Sequence, residues 1–431
     1  MPLVKTMLKV VMLTPGTGNF FCGSCLRDHS LAKGLMKNGL DITMVPLYLP
    51  HVAEDDLKTS PLFFGGINLY LQKKFPVFNK SPQWFRHLLD HPVLLKFVSR
   101  FSGMTSAKDL GEMTLDSLEM KGPQVEFEQL LTWLSESIKP DCVILSNCLL
   151  IGFAEKLKDK LNCKVMSTLQ GEDSFLDSLE EPYKSDSWTV LKEKCQFIDL
   201  FMPVSDTYGE IMQRRLELAP EKVQTVYNGL DITDLPNLNE HKPIPKIGFL
   251  ANIVPGKGLM TLAHAFIELK KQEKYKVLKL MVLGSVTPFT KDHLETVKTT
   301  LKDAGVFDDC QFETNLSRED KFKFLNEATI LSVPATYGES FGLYLIEALA
   351  LGVPVVQPDH GAFKEILSKL EGGLLCKPDD ASDLAKACSK LLDDESLRQK
   401  LSEKGRRNVL KSFTQESMAE RVAGLIKENV C

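Results

Sequence analysis

Short apolar strands alternate with helical stretches along this chain, and the alternation runs twice. No other feature restricts the fold as much. Strand–helix repeats of this kind pair in parallel, with helices covering both faces of a sheet. In the first series TMLKVVMLT (6–14), DITMVPLYL, DCVILSN, CKVMSTL and LFMPVS read as strands, and residues 26–38 read as a helix closed by Gly39. In the second, KIGFLAN, VLKLMVLGS, ATILSVP and VPVVQP read as strands, with helices near 258–272, 291–303 and 341–351. Between them lies VYNGLDITDLPNLNEHKPIP, rich in Asn, Asp and Pro as interdomain linkers are. At 431 residues the chain is too long for one core. The expected fold class is α/β: two doubly wound, Rossmann-like domains facing across an interdomain cleft, where ligands usually bind. The expected bounds are residues 1–228 for the first domain, 229–242 for the linker and 243–410 for the second domain. Residues 411–431 are expected to form a helix that crosses back to the first domain.

Charge and composition narrow the function. The net charge of −5 argues against a nucleic-acid binder. No apolar run reaches the roughly 20 residues that a spanning helix needs. The start MPLVKTMLKVVMLTPG reads as a strand entering a glycine loop rather than as a signal peptide, so the expected location is the cytoplasm. Ten scattered Cys suit free thiols in a reducing compartment. Cys22 and Cys25 form one Cys-x-x-Cys pair with no second pair to complete a zinc site; packing is favoured over a redox role. Residues 50–121 form an insertion between strands of the first domain. Within it, residues 72–100 hold six Lys or Arg against one Asp, among Phe75, Phe78, Trp84 and Phe85. Two readings stand: an insertion packed on its own domain, or contact with an anionic membrane at its inner face.

The chemistry concentrates in YGESFGLYLIEALALGVPVV, where Glu339 and Glu347 stand eight residues apart astride the start of an apolar helix. A helix start offers unpaired N–H groups and partial positive charge, and so attracts phosphate. Carboxylates beside it accept hydrogen bonds from sugar hydroxyls. Glu339 could equally be a solvated loop residue. Glu347 is harder to dismiss, because Leu345, Ile346, Ala348, Leu349 and Ala350 make this helix apolar almost all round. A carboxylate buried there needs a partner, which a sugar hydroxyl or a Lys would supply.

These residues resemble retaining glycosyltransferases of the GT-B fold, family 4 (glycosyl transferases group 1). The resemblance rests on the Glu-x7-Glu element with FG inside it and ALALGVPVV after it, the turn VYNGLD, the ending GGLLCKPDDASDLAKACSKLLDD, and the PGTG loop after the first strand. A largely bacterial subgroup shares the look of TPGTGNFFCGSCLRD, MVPLYLP and STLQGEDSFLDSL. The resemblance implies a nucleotide-diphosphate sugar as co-substrate, with no other cofactor. It implies that Glu347 binds the ribose hydroxyls and Glu339 the transferred sugar. Backbone amides of Phe341, Gly342 and Leu343 would take the distal phosphate, and Lys257 would reach the diphosphate. Gly16 and Gly18 would let the opposing loop approach it, and Asn315 and Leu316 would lie near the base. Where the family usually has an Arg, five residues before the Lys, this chain has Asn252, so a cation is missing from the donor site; Arg27 and Lys364 are candidates to replace it. The family's N-terminal His is also absent, and Gln170, Glu172 and Asp173 occupy that stretch. Asp173 reads either as a contact to acceptor or sugar or as a helix cap.

The implied reaction moves a hexose-type sugar to a hydroxyl acceptor with retention of configuration. Front-face attack needs no protein nucleophile, and none is evident. There is no Asp-x-Asp, so a divalent metal is not expected; His29 and His360 have no metal-ligand spacing. The alternatives are a phosphorylase or nucleotide-sugar epimerase on the same fold, or a non-catalytic sugar-nucleotide binder. A dehydrogenase fits less well, because Phe21 stands where the dinucleotide fingerprint needs a third Gly.

Overall fold

A computed structural model of the chain describes residues 7–15, 23–47, 107–121, 124–233, 235–238, 244–287, 290–314 and 318–430. The side chains of 23–26, 107, 124 and 318 are outside the description. By its internal contacts the chain divides into two compact units, one of Met1–Tyr227 with Gln415–Cys431 and one of Asn228–Thr414.

The first unit is built on a five-stranded sheet of β1 (Lys9–Thr14), β2 (Asp41–Pro46), β3 (Cys142–Leu145), β4 (Lys164–Leu169) and β5 (Leu200–Pro203). Its order is β2-β1-β3-β4-β5, and every neighbouring pair is parallel. The strands read as continuous apolar runs because helices cover both faces; Val10, Val11, Met12 and Leu13 are all buried. Helix α1 (Gly23–Lys37) follows β1, α2 (Glu172–Asp177) follows β4, and α3 (Asp206–Leu216) follows β5. Within the insertion, the helix Ala107–Glu119 packs on this unit: a Cβ at Gly152 would lie 2.4 Å from the Ser117 carbonyl oxygen. Residues 72–100 lie outside the described residues.

The second unit is built on six parallel strands: β6 (Lys246–Leu250), β7 (Lys279–Gly284), β8 (Cys310–Thr314), β9 (Ile330–Leu331), β10 (Val355–Pro358) and β11 (Gly373–Cys376). Their order is β11-β10-β9-β6-β7-β8. Two of these strands are not evident in the sequence, and both are edges. CQFET in β8 is only partly buried and GLLC in β11 opens on glycine, so neither presents the apolar run that marks a central strand. Helix α4 (Arg318–Glu327) precedes β9, α5 (Leu343–Ala350) follows it, and α6 (Phe363–Leu370) follows β10.

The last helix, α7 (Gln415–Val430), belongs to the first unit. Met418, Ala419, Val422, Leu425 and Ile426 join Met12, Leu31, Leu35 and Met44 in one core. The approach to α1 is close, since a Cβ at Gly34 would lie 2.5 Å from the Cβ of Ala419. Among the described residues no helix is long and apolar enough to cross a membrane.

Candidate functional site

Strand order selects the place. In the second sheet β6 has β7 on one side and β9 on the other. Loops leaving the carboxyl ends of two such neighbours part to opposite faces and open a crevice for ligands. Gly248 pairs with Leu331 in register, so the loop after β6 (251–258) and the loop after β9 (332–342) begin side by side. The first carries Asn252 and Lys257; the second carries Glu339 and runs into α5. Thr336 N–H donates to the Gly256 carbonyl at 2.8 Å and ties the loops together. They touch closely: Gly258 has φ +76°, and a Cβ there would fall 1.8 Å from the Pro334 carbonyl oxygen.

This junction brings together two residues 82 positions apart. Lys257 Nζ lies 2.5 Å from Glu339 Oε2, with the side chains only 16% and 13% exposed. Tyr344 and Tyr337 hydroxyls lie 3.3 and 3.5 Å from the same oxygen, and the ammonium stands 5.0 Å from the Tyr337 ring centre. Burial lowers the Lys257 pKa, but Glu339 and Tyr337 raise it further, so the net is above its ordinary 10.5 and the ammonium persists at neutral pH. Burial likewise holds both tyrosines in their protonated, donating form. The backbone of Glu339 is fixed as well. Its carbonyl accepts from Ala362 N–H at 2.9 Å, and Gly361, at φ +55°, leaves no room for a Cβ beside it.

Helix α5 starts at Gly342 with φ +84° and no side-chain cap. Its first N–H groups therefore have no capping side chain, and Tyr344 of its first turn is the residue whose hydroxyl reaches Glu339. The Phe341 ring is buried and packs 6.2 Å from the Phe413 ring. Glu347 lies one turn into α5, and a Lys is indeed its partner: Lys321 Nζ of α4 lies 2.5 Å from Glu347 Oε1.

The remaining expected residues fall in different places. Asn252 is exposed, and its Oδ1 accepts from Ser285 Oγ at 2.5 Å after β7. Lys364, in the first turn of α6, is exposed with no ion pair among the described residues, while Arg27 is buried on α1 in an ion pair with Asp28 at 3.1 Å. His360 Nε2 is 2.7 Å from the Ala335 carbonyl oxygen. Gly16, Gly18, Asn315 and Leu316, with Cys22, lie outside the described residues. Asp173 is the second residue of α2 and is half-buried; its N–H is 3.4 Å from the Tyr208 hydroxyl, and no side chain caps this helix. Its neighbour Glu172 is the buried member. It accepts from the N–H groups of Cys148, Gln170 and Gly171 and from the Tyr208 hydroxyl. Burial pushes the Glu172 pKa up and the backbone donors pull it back, with a net rise.

Lys321, Tyr337 and Tyr344 escape sequence reasoning. For Lys321 a signal exists: it shares a helix face with Phe324 and Leu325, both buried. A cation on an apolar face needs an anion.

The second unit is thus a parallel sheet with a helix start at its switch point, Glu339 before that start, Glu347 one turn beyond it and Lys257 paired to Glu339. Residues 231–408 match the family model Glycosyl transferases group 1. The D-inositol 3-phosphate glycosyltransferase of Corynebacterium jeikeium (strain K411) is 30% identical over 182 residues, 42% of this chain and 43% of that one. The MMP alpha-(1->4)-mannosyltransferase of Mycolicibacterium hassiacum is 26% identical over 241 residues, 56% of each chain. The chain thus spans about half the length of these relatives. Among solved structures, sucrose-phosphate synthase from Thermosynechococcus elongatus superposes with TM-score 0.72 at 17% identity, covering 98% of both chains. Anabaena Alr3699/HepE in complex with UDP and glucose gives 0.69 at 13%, covering 97% of this chain and 99% of that one. The similarity to group 1 glycosyltransferases thus lies in the second unit, over residues 231–408, and the fold of the chain is the GT-B fold.

Proposed function

We propose that this protein is a retaining glycosyltransferase that moves a hexose-type sugar from a nucleotide diphosphate to a hydroxyl acceptor. The observation that carries the reading is the pairing of Lys257 with Glu339, tied by the Tyr344 hydroxyl to the first turn of an α5 that has no side-chain cap, with Glu347 one turn further along. Lys257 and the amides of Phe341, Gly342 and Leu343 bind the diphosphate, Glu339 the hydroxyls of the transferred sugar, and Glu347 the ribose. As the glycosidic C–O bond breaks, its electron pair passes to the diphosphate, where fixed donors stabilise the developing charge. The acceptor oxygen bonds to the anomeric carbon from the same face, and its proton passes to the leaving phosphate. In the free protein Lys257 and Glu339 satisfy each other. Donor binding exchanges these partners, with phosphate for the lysine and sugar hydroxyls for the carboxylate, so no buried charge is left alone.

Asp173 is proposed to contact acceptor or sugar, and Lys364 to supply the cation that Asn252 does not. The HepE complexes hold UDP, glucose and UDP-glucose, which makes UDP-glucose the first donor to try. The test is a thermal-shift screen of UDP-, GDP- and ADP-sugars followed by donor hydrolysis and transfer assays. A ligand that binds the folded form raises the melting midpoint. One donor class is expected to do so and to turn over. Near-native turnover in both Glu339→Ala and Glu347→Ala would refute the site.

A further inference from the structure

Among the described residues α4 makes four ion pairs, and they differ in kind: its last residue, Glu327, pairs with Lys246 of β6 with side chains 51% and 25% exposed. Lys323 pairs with Glu319 and Asp320 along its own helix, with side chains 49–79% exposed, where such contacts contribute little. Lys321 also reaches a different element, but there both partners are largely buried. Its Nζ lies 2.5 Å from Glu347 Oε1, with the two side chains 20% and 14% exposed. Phe324 and Leu325 bury the face of α4 that carries Lys321, so the helix cannot turn the lysine toward solvent without breaking its packing. The ammonium also stands 5.4 Å from the Phe322 ring centre, which flanks it with apolar surface. Among the described residues each of these two charges is the other's only ionic partner. Only Oε1 of Glu347 accepts the lysine; Oε2 makes no hydrogen bond among the described residues.

We propose that Lys321 is a positioning residue for nucleotide recognition: by holding one oxygen of Glu347, it aims the other at the hydroxyls of a ribose. The proposal rests on the reading that Glu347 grips the ribose, and extends it to a residue on a separate helix. A carboxylate free to rotate would present its two oxygens to many directions. Anchored at Oε1, it presents Oε2 in one, so a hydroxyl meets an acceptor already in place. Lys321 itself touches no substrate in this account.

The experiment compares ribonucleotides with their 2′-deoxy counterparts. UDP, GDP and ADP, and dUDP, dGDP and dADP, are titrated calorimetrically into wild-type protein, Lys321→Met and Lys321→Arg. For the base that binds, wild type is expected to favour the ribonucleotide about tenfold or more, as a hydrogen bond to a charged group allows. Lys321→Met is expected to shrink that ratio toward one, and Lys321→Arg to preserve most of it. A lysine serving only stability would weaken both nucleotides alike; an unchanged ratio in Lys321→Met overturns the proposal while leaving the role of Glu347 intact. A wild type that binds diphosphates without preferring ribose overturns both. Should Lys321→Met fold poorly because Glu347 is left alone, the double variant Lys321→Met with Glu347→Gln removes that charge. It should recover the melting midpoint but not the ribose preference; recovery of the preference would contradict the proposal.

Discussion

At the scale of single residues, the site stores its charges as pairs. Removing one member exposes the other. Lys257→Met leaves Glu339 with two tyrosine hydroxyls only, and about 1–3 kcal/mol of stability should be lost in denaturant titration; adding Glu339→Gln should restore most of it. If the single variant is as stable as wild type, the pair is not an interaction the fold depends on. For catalysis, Glu339→Ala should lower kcat/KM by about 10–100-fold, the worth of one charge-assisted hydrogen bond. Glu172 yields a prediction in pH. Its folded pKa is raised above 4.5, so the folded state binds the proton more tightly than the unfolded one. Its contribution to stability is therefore greatest at low pH and falls as pH rises above 4.5 toward the raised value. The stability difference between wild type and Glu172→Gln should decline over that interval; a flat or rising difference would show that the backbone donors outweigh burial.

At the scale of elements, the loops after β6 and β9 form the site because their strands are neighbours. Gly258→Ala places a Cβ against the Pro334 carbonyl at a φ that an L-residue disfavours. It should destabilise the protein and weaken nucleotide binding together, whereas Gly305→Ala, also at positive φ but with open space around it, should affect stability alone. Equal donor affinity in Gly258→Ala would mean that the contact between these loops does not shape the site. How far the sequence reveals this differs by element. Central strands are legible because burial on both faces demands an apolar run, and the carboxylates are legible because Glu347 interrupts an apolar helix. The edge strands β8 and β11 are not, since half of each faces water. Nor is the meeting of Lys257 with Glu339, which depends on β6 lying beside β9; strand order follows from long-range packing that no local pattern encodes. Lys321 lies between these cases, its apolar face visible and its partner not.

At the scale of the whole molecule, the chain divides into two units, and the last helix completes the core of the first. Met418, Val422, Leu425 and Ile426 together bury apolar surface worth on the order of 6–12 kcal/mol, comparable with the stability of a typical domain. Deleting residues 415–431 should therefore expose amides of β1 and β2 to hydrogen exchange while those of β6 and β9 stay protected; protection retained in both sheets would show that α7 is dispensable. The function proposed for the molecule depends on the second unit, where the start of α5 is flanked by Glu339 and Glu347. The most direct test is calorimetric titration of the nucleotide-sugar that stabilises the protein into wild type and Glu347→Ala. The account predicts saturable one-to-one binding to wild type, weakened at least tenfold in the variant. Equal affinity in the two proteins, or no binding of any nucleotide-sugar to wild type, would contradict it.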